Sequence, residues 1–161
     1  MTRKAKSTSS LAIGDKAGRG AADRQHVHWL LKSEPGAYGW DDLVRDGWTA
    51  WTGVRNHQAA IYLRAMRRGD LAFFYHSNTG LEVVGIARVI AEHSPDPTDP
   101  TGRFVAVDIA PVEALARPVT LARIKATPAL AEMKLLRLSR ISVTPVTAAE
   151  WKTVLALSRD P

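Results

Sequence analysis

Residues Trp51 to Gln58, WTGVRNHQ, place an indole, a glycine, a guanidinium and two carboxamides directly ahead of a helical pattern. An indole offers a flat, polarisable face on which a base can stack, worth about 1–3 kcal/mol per base. Gly53 lets backbone come close to a ligand. Arg55 can form charge-assisted bonds to phosphate or to a base edge, while Asn56 and Gln58 each offer a donor and an acceptor, as reading a base edge requires. The competing reading makes Trp51 a core residue, Asn56 a helix cap, and Arg55 and Gln58 solvated side chains.

Two more clusters fall where strands are expected to end. KSEP puts the Lys32 ammonium, the Ser33 hydroxyl and the Glu34 carboxylate before Pro35, and YHS puts the Tyr75 phenol, the His76 imidazole and the Ser77 hydroxyl together. Strand alternation sends Lys32 and Glu34 to one face and Ser33 to the other, and likewise separates His76 from Tyr75 and Ser77. Each cluster also has a plain reading, a surface charge pair and an ordinary buried tyrosine. Nothing resembles a nucleophile elbow. The chain has no cysteine, which excludes disulfides and thiolate chemistry. The five histidines are scattered, with neither an HExxH motif nor a pair at i, i+4 spacing, so no metal site is expected.

These groups have to be positioned by a chain of 161 residues that is 45% hydrophobic, enough for one domain with a core. No apolar run reaches the ~18 residues of a membrane span, and no secretory signal core is visible, so a cytoplasmic protein without membrane contact is expected. Fifteen arginines against seven lysines fit a GC-rich bacterial coding sequence. The net charge of +6 is uneven: residues 1–26 hold six basic and two acidic side chains, the remaining 135 hold sixteen and fourteen. The Ser-, Gly- and Ala-rich stretch 1–26 is expected to be a disordered basic tail, either adding weak, salt-sensitive attraction to nucleic acid or serving only as a solvated terminus. Residues 27–161 are expected to form the domain.

Within that domain HVHWLLKS reads as a buried first strand, and GWDDLVRDG as a short helix. Asn56 suits an N-cap, with Ala59, Tyr62, Leu63 and Met66 following at i, i+3, i+4, i+7 on a helix expected to reach Gly69. DLAFFYHS and LEVVGIARVIAEHS read as a hairpin, SPDPTDPTG as a loop and RFVAVDIAPVEAL as a further strand. Thr120 and Thr127 precede short helical segments, RISVTPV reads as a last strand, and Thr147 with Glu150 forms a capping box for a closing helix. Strands of mixed length among short helices, without regular alternation, predict an α+β domain built as a small mixed β-barrel.

Taken together, WLLKSEP at 29–35, WTGVRNHQA at 51–59, GDLAFFYHS at 69–77, VVGIARV at 83–89 and SRISVTPVT at 139–147 resemble the EVE domain family, which includes the thymocyte nuclear proteins. The resemblance spans about residues 27–158. It implies a PUA-like fold, a small mixed β-barrel flanked by short helices, related to YTH and ASCH domains, with a pocket for a modified nucleobase of DNA or RNA and no cofactor. Carried over position by position, the resemblance lines that pocket with Lys32, Ser33, Glu34, Trp51, Arg55, Asn56, Gln58, Tyr75, His76, Ser77, Arg140 and Ser142. The chain departs from the family pattern at Thr52, where an aspartate is common, and at His57, where a tyrosine is usual.

Three functions fit this reading. The first is a monomeric reader of a base such as 5-methyl- or 5-hydroxymethylcytosine, with Trp51 stacking and truncation of Trp51 expected to abolish binding in a folded protein. The second is an ASCH-like hydrolase of an acylated nucleoside, with Lys32 as amine or electrostatic catalyst and Glu34 carrying the proton. The third is a scaffold that binds no small ligand.

Overall fold

The apolar run from Trp29 to Leu31 is buried on both sides of the chain, as its lack of polar interruption requires. It is the centre of β1 (His28–Ser33), which is followed by α1 (Pro35–Tyr38), α2 (Trp40–Asp46), β2 (Thr49–Trp51), α3 (His57–Ala65), β3 (Leu71–His76), β4 (Glu82–Pro95) and β5 (Val105–Thr120). The chain then forms α4 (Leu121–Lys125), a 3₁₀ turn (Pro128–Leu130), α5 (Lys134–Arg137), β6 (Val143–Val146) and α6 (Ala148–Arg159). The computed structural model describes residues 26–160, so the expectation for the basic N-terminal stretch falls, His26 apart, outside the described residues.

All six strands belong to one mixed sheet in the order β2-β5-β4-β3-β1-β6. β1 runs parallel to β3 and antiparallel to β6, and β3, β4 and β5 follow as antiparallel neighbours. The mixed α+β architecture is as expected, but the sheet is open: β2 and β6 are its edges, and no pairing among the described residues closes the barrel. Both edge strands are short, three and four residues, and β6 carries Pro145, which has no N–H to offer a further strand. The register of β4 against β5 shifts at four places, which bends this long ribbon.

Each face of the sheet carries its own core. Trp29, Leu31, Ala72 and Phe74 point to the side covered by α2 and α3, where they meet Trp40, Leu43 and Leu63. Leu30, Phe73 and Tyr75 point to the side covered by the chain from α4 to α6, and there Phe73 stacks on Trp151 with ring centroids 3.8 Å apart. Gly85 on β4 is a close-approach position: a Cβ there would lie 2.6 Å from the Trp40 ring.

Several boundaries differ from expectation. The helix after Asn56 stops at Ala65, not Gly69, because the Asp70 carboxylate accepts the Arg67 N–H (2.9 Å) together with the Trp29 indole N–H (2.9 Å), drawing that amide out of the helical ladder. The tryptophan of the opening stretch lies in β2, too short to show a period. The proline-rich loop begins later than its composition suggests, since β4 continues to Pro95.

Candidate functional site

Parallel pairing of β1 and β3 places their C-terminal ends side by side, with Lys32 beside Tyr75 and Ser33 beside His76. Strand ends of this kind, where side chains leave the sheet at one edge, are common positions for ligand sites. Ser77 is tied to β1 by its N–H donating to the Ser33 carbonyl (2.9 Å), and the approach to β6 is tied to β1 by the Lys32 N–H donating to the Ser142 carbonyl (2.9 Å). The three segments, together with β2 and the chain after it, surround a cavity of about 670 Å³, within the ~300–1,000 Å³ typical of small-molecule pockets.

The far wall of this cavity comes from Thr49 to Arg55. Trp51 is only 8% exposed, its ring held edge-on by Phe74 with centroids 5.6 Å apart, so it is at once a core residue and part of the wall. Gly53 adopts φ +84°, a left-handed conformation that a side chain would strain. That turn directs the Gly53 N–H onto the Asp96 carboxylate at 2.8 Å, and the Arg55 guanidinium donates to the same Oδ2 at 3.1 Å. A second guanidinium nitrogen of Arg55 donates to the Thr98 hydroxyl (3.0 Å), and the group lies 5.4 Å over the Phe104 ring.

Asp96 belongs to a twin arrangement. In each Asp-Pro-Thr step of SPDPTDPTG one carboxylate oxygen accepts both the amide and the hydroxyl of the threonine two residues on, at 2.7 and 2.7 Å for Asp96 and 2.9 and 2.6 Å for Asp99. Burial alone would raise the Asp96 carboxyl, but bonds from the Thr98 hydroxyl, the Gly53 and Thr98 amides and Arg55 outweigh it and hold the group below the usual carboxylate range. The loop therefore clamps the rim of the cavity.

On the near side the Lys32 ammonium donates to the Ser139 carbonyl at 2.7 Å, and burial lowers its pKa. The Ser33 hydroxyl donates to the Tyr38 carbonyl (2.6 Å), and the Tyr38 phenol donates to Asp46 (2.9 Å); burial, reinforced by this bond, pushes the phenol up to about 12. Glu34 is exposed at the mouth, as is Arg140. The balance at this opening is cationic, with Lys32, Arg55 and Arg140 against Glu34 and the buried Asp96 that pairs with Arg55.

Residues 27–157 match the model of the EVE domain. The chain belongs to the EVE domain family. Thymocyte nuclear protein 1 of Gallus gallus is similar to it at 34% identity over 169 residues, taking in 84% of this chain and 70% of the relative. Among solved structures, Rpa0253 from Rhodopseudomonas palustris superposes with a TM-score of 0.79 at 56% identity, covering 83% of this chain and 93% of that one. The human THYN1 protein in complex with 5-methylcytosine-containing DNA superposes with a TM-score of 0.76 at 32% identity, covering 83% and 98% of the two chains.

In this EVE domain the cavity gathers Lys32, Ser33, Glu34, Trp51, Arg55, Ser77, Arg140 and Ser142. Ser33 joins Lys32 and Glu34 although alternation separated them, because β1 ends there and α1 begins. Four residues that the family resemblance assigns to the pocket lie elsewhere. The Asn56 side chain accepts the Ala59 N–H at 2.9 Å and caps α3, and Gln58 is exposed on that helix. The His76 Nε2 accepts the Trp40 N–H at 3.1 Å, which commits the ring to the start of α2. Tyr75 is buried and lines a neighbouring cavity. The residues that spacing did not single out are Tyr38, Thr49 and Ser139, which line the cavity, and Asp96 and Thr98, which hold its rim. The repeated Asp-Pro-Thr was the available signal for the last two, since Asp takes up local amides in turns. Among the described residues no group of His, Asp or Glu could hold a metal ion, and no helix is long and apolar enough to cross a membrane.

Proposed function

We propose that this EVE domain recognises a modified base of the 5-methyl- or 5-hydroxymethylcytosine type in DNA by taking the displaced nucleotide into the cavity at the ends of β1 and β3. The observation that carries this reading is a cavity of about 670 Å³ that combines an aromatic wall, Trp51, with a cationic opening formed by Lys32, Arg55 and Arg140. The DNA complex of the human relative supports the choice of polymer and of base class. Extracting a nucleotide from its stack costs a few kcal/mol. Trp51 exposes too little of its ring for a full face-to-face stack, so its contribution belongs at the low end of about 1–3 kcal/mol. Hydrogen bonds to the base edge from Ser33, Ser77 or the backbone of the rim supply the rest, and a buried methyl adds about 0.8 kcal/mol of selectivity. Residues 27–161 are the base-reading unit, and the basic residues 1–26 add attraction to phosphate regardless of sequence.

The test is a titration, followed by tryptophan fluorescence, with single-stranded and duplex DNA and with RNA oligonucleotides that differ only in one central base. The expected result is a preference of about tenfold, equivalent to about 1.4 kcal/mol, for a modified cytosine over cytosine. Equal, salt-sensitive binding to every oligonucleotide would overturn the assignment.

A further inference from the structure

Beside the first cavity lies a second, of about 450 Å³, and the wall between them consists of Lys32, Ser77 and Ser139, each of which lines both. The second cavity is lined by the apolar side chains of Leu81, Leu121 and Leu136 and by polar groups of Tyr75, Asn78 and the exposed Lys125. Its outer lip is unusual. Leu81 is 42% exposed and sits at φ +28°, a conformation that costs energy for a branched apolar residue, and Asn78 across the same turn is at φ +64°. The strained turn holds an apolar side chain at the edge of an open cavity, where burial in the core cannot repay it.

Taking the first cavity as the base site, the geometry points to the second as a subsite for the nucleoside adjacent to the modified one, with the phosphodiester that joins them lying against Lys32. Consecutive nucleosides in a nucleic acid are two flat, largely apolar bodies separated by one anion. Two neighbouring cavities that share a wall bearing one ammonium have the same order. Lys32 spends one of its three donors on the Ser139 carbonyl and keeps two for phosphate oxygens. The leucine side accepts a base face, and Lys125 stands where the next phosphate emerges. The surrounding chain is suited to an anionic strand: residues 121–142 hold five basic side chains, Arg123, Lys125, Lys134, Arg137 and Arg140, against Glu132 alone. This local excess exceeds that of the whole domain, in which sixteen basic groups face fourteen acidic ones.

The experiment compares three ligands on the full chain by calorimetry, each made once with 5-methylcytosine and once with cytosine: the 2′-deoxynucleoside 5′-monophosphate, a trinucleotide with that base at its centre, and the same trinucleotide with abasic sugars as neighbours. The two trinucleotides carry the same phosphates, so their difference reads the flanking bases. The intact trinucleotide is expected to bind about tenfold more tightly than the abasic one, the scale of one good base contact. Leu81→Asn, well suited to left-handed backbone, should remove most of that advantage and leave mononucleotide affinity unchanged. Equal affinity for both trinucleotides, with 5-methylcytosine still preferred over cytosine, would overturn the second subsite alone. So would a Leu81→Asn protein in which the mononucleotide is weakened as much as the trinucleotide. Loss of the preference for 5-methylcytosine in all three ligands would overturn the reading of the first cavity and the second with it.

Discussion

Arg55 and Asp96 meet across forty-one positions of sequence, with 3.1 Å between guanidinium and carboxylate, and this contact fixes the segment that follows Trp51. The Asp96 side chain is wholly buried whereas Arg55 is 41% exposed, so the pair itself is only modestly stabilising. The more costly loss would be that of the acceptor for the Gly53 and Thr98 amides. Leaving such donors unsatisfied costs about 1–3 kcal/mol. Asp96→Ala should therefore lower the unfolding free energy, read from the urea transition, by an amount in that range and loosen the cavity rim, reducing base affinity. Arg55→Ala should destabilise less, because the carboxylate keeps its other donors.

Trp51 was expected to tolerate truncation. Its burial against Phe74 makes Trp51→Ala a core deletion, with a cost of about 3–5 kcal/mol. Trp51→Phe is the informative change. It should retain cooperative unfolding and lower the affinity for the modified base by less than about tenfold, given the small ring area available for stacking. Unaltered affinity in the Phe variant would remove Trp51 from the ligand's surroundings.

Asn56 separates capping from base reading. Its carboxamide is occupied by the Ala59 N–H, so Asn56→Ala should cost about 1 kcal/mol of stability. Asn56→Asp, an equally good cap, should restore it. Base affinity measured well below the unfolding transition should be the same in both variants.

The fold should lose stability in two steps on acidification. Burial lowers the pKa of His76 although Glu82 and Asp41 act in the opposite direction, and its Nε2 accepts the Trp40 N–H only while unprotonated. Above about pH 6.5 the ring is neutral in both folded and unfolded chains. Below it the unfolded chain takes up a proton that the folded chain resists, so stability falls as the pH drops through the lowered folded value. His28, also lowered by burial against the pull of Asp70, adds to this step. His76→Gln should give a smaller fall in urea midpoint between pH 7.5 and 5 than the parent. The second step comes below about pH 4, as Asp96 and Asp99 protonate. Asp99 is held down to about 2, chiefly by the Thr101 hydroxyl and against the effect of burial, so its contribution is present above the unfolded pKa and disappears as the pH falls through about 2. Carboxyl chemical shifts of the two aspartates would follow this step.

Much of the local structure is legible in the chain because its causes are local. The uninterrupted apolar runs of WLL and AFFY require strands buried on both faces, and both became central strands. Asn56, Thr120 and Thr147 cap their helices through bonds to amides three residues away, contacts that side-chain chemistry and spacing alone define. Alternation correctly separated His76 from Tyr75 and Ser77, so that the former turned to α2 and the latter two to the second cavity. The candidate site was legible only in part, and for the same reason. Whether Trp51 lies in the core or in the wall of the cavity depends on Phe74 and β5; it does both. That Asp96 reaches back to Gly53 and Arg55 depends on how β4 and β5 carry the loop between them. The convergence of KSE, Ser77 and Ser139–Ser142 on one cavity follows from β1 lying parallel to β3 and antiparallel to β6. Sequence period determines which residues form a strand and which face each one takes. Strand order is decided by packing between segments far apart in the chain, so the sheet remained open and the site took its shape only in the tertiary structure.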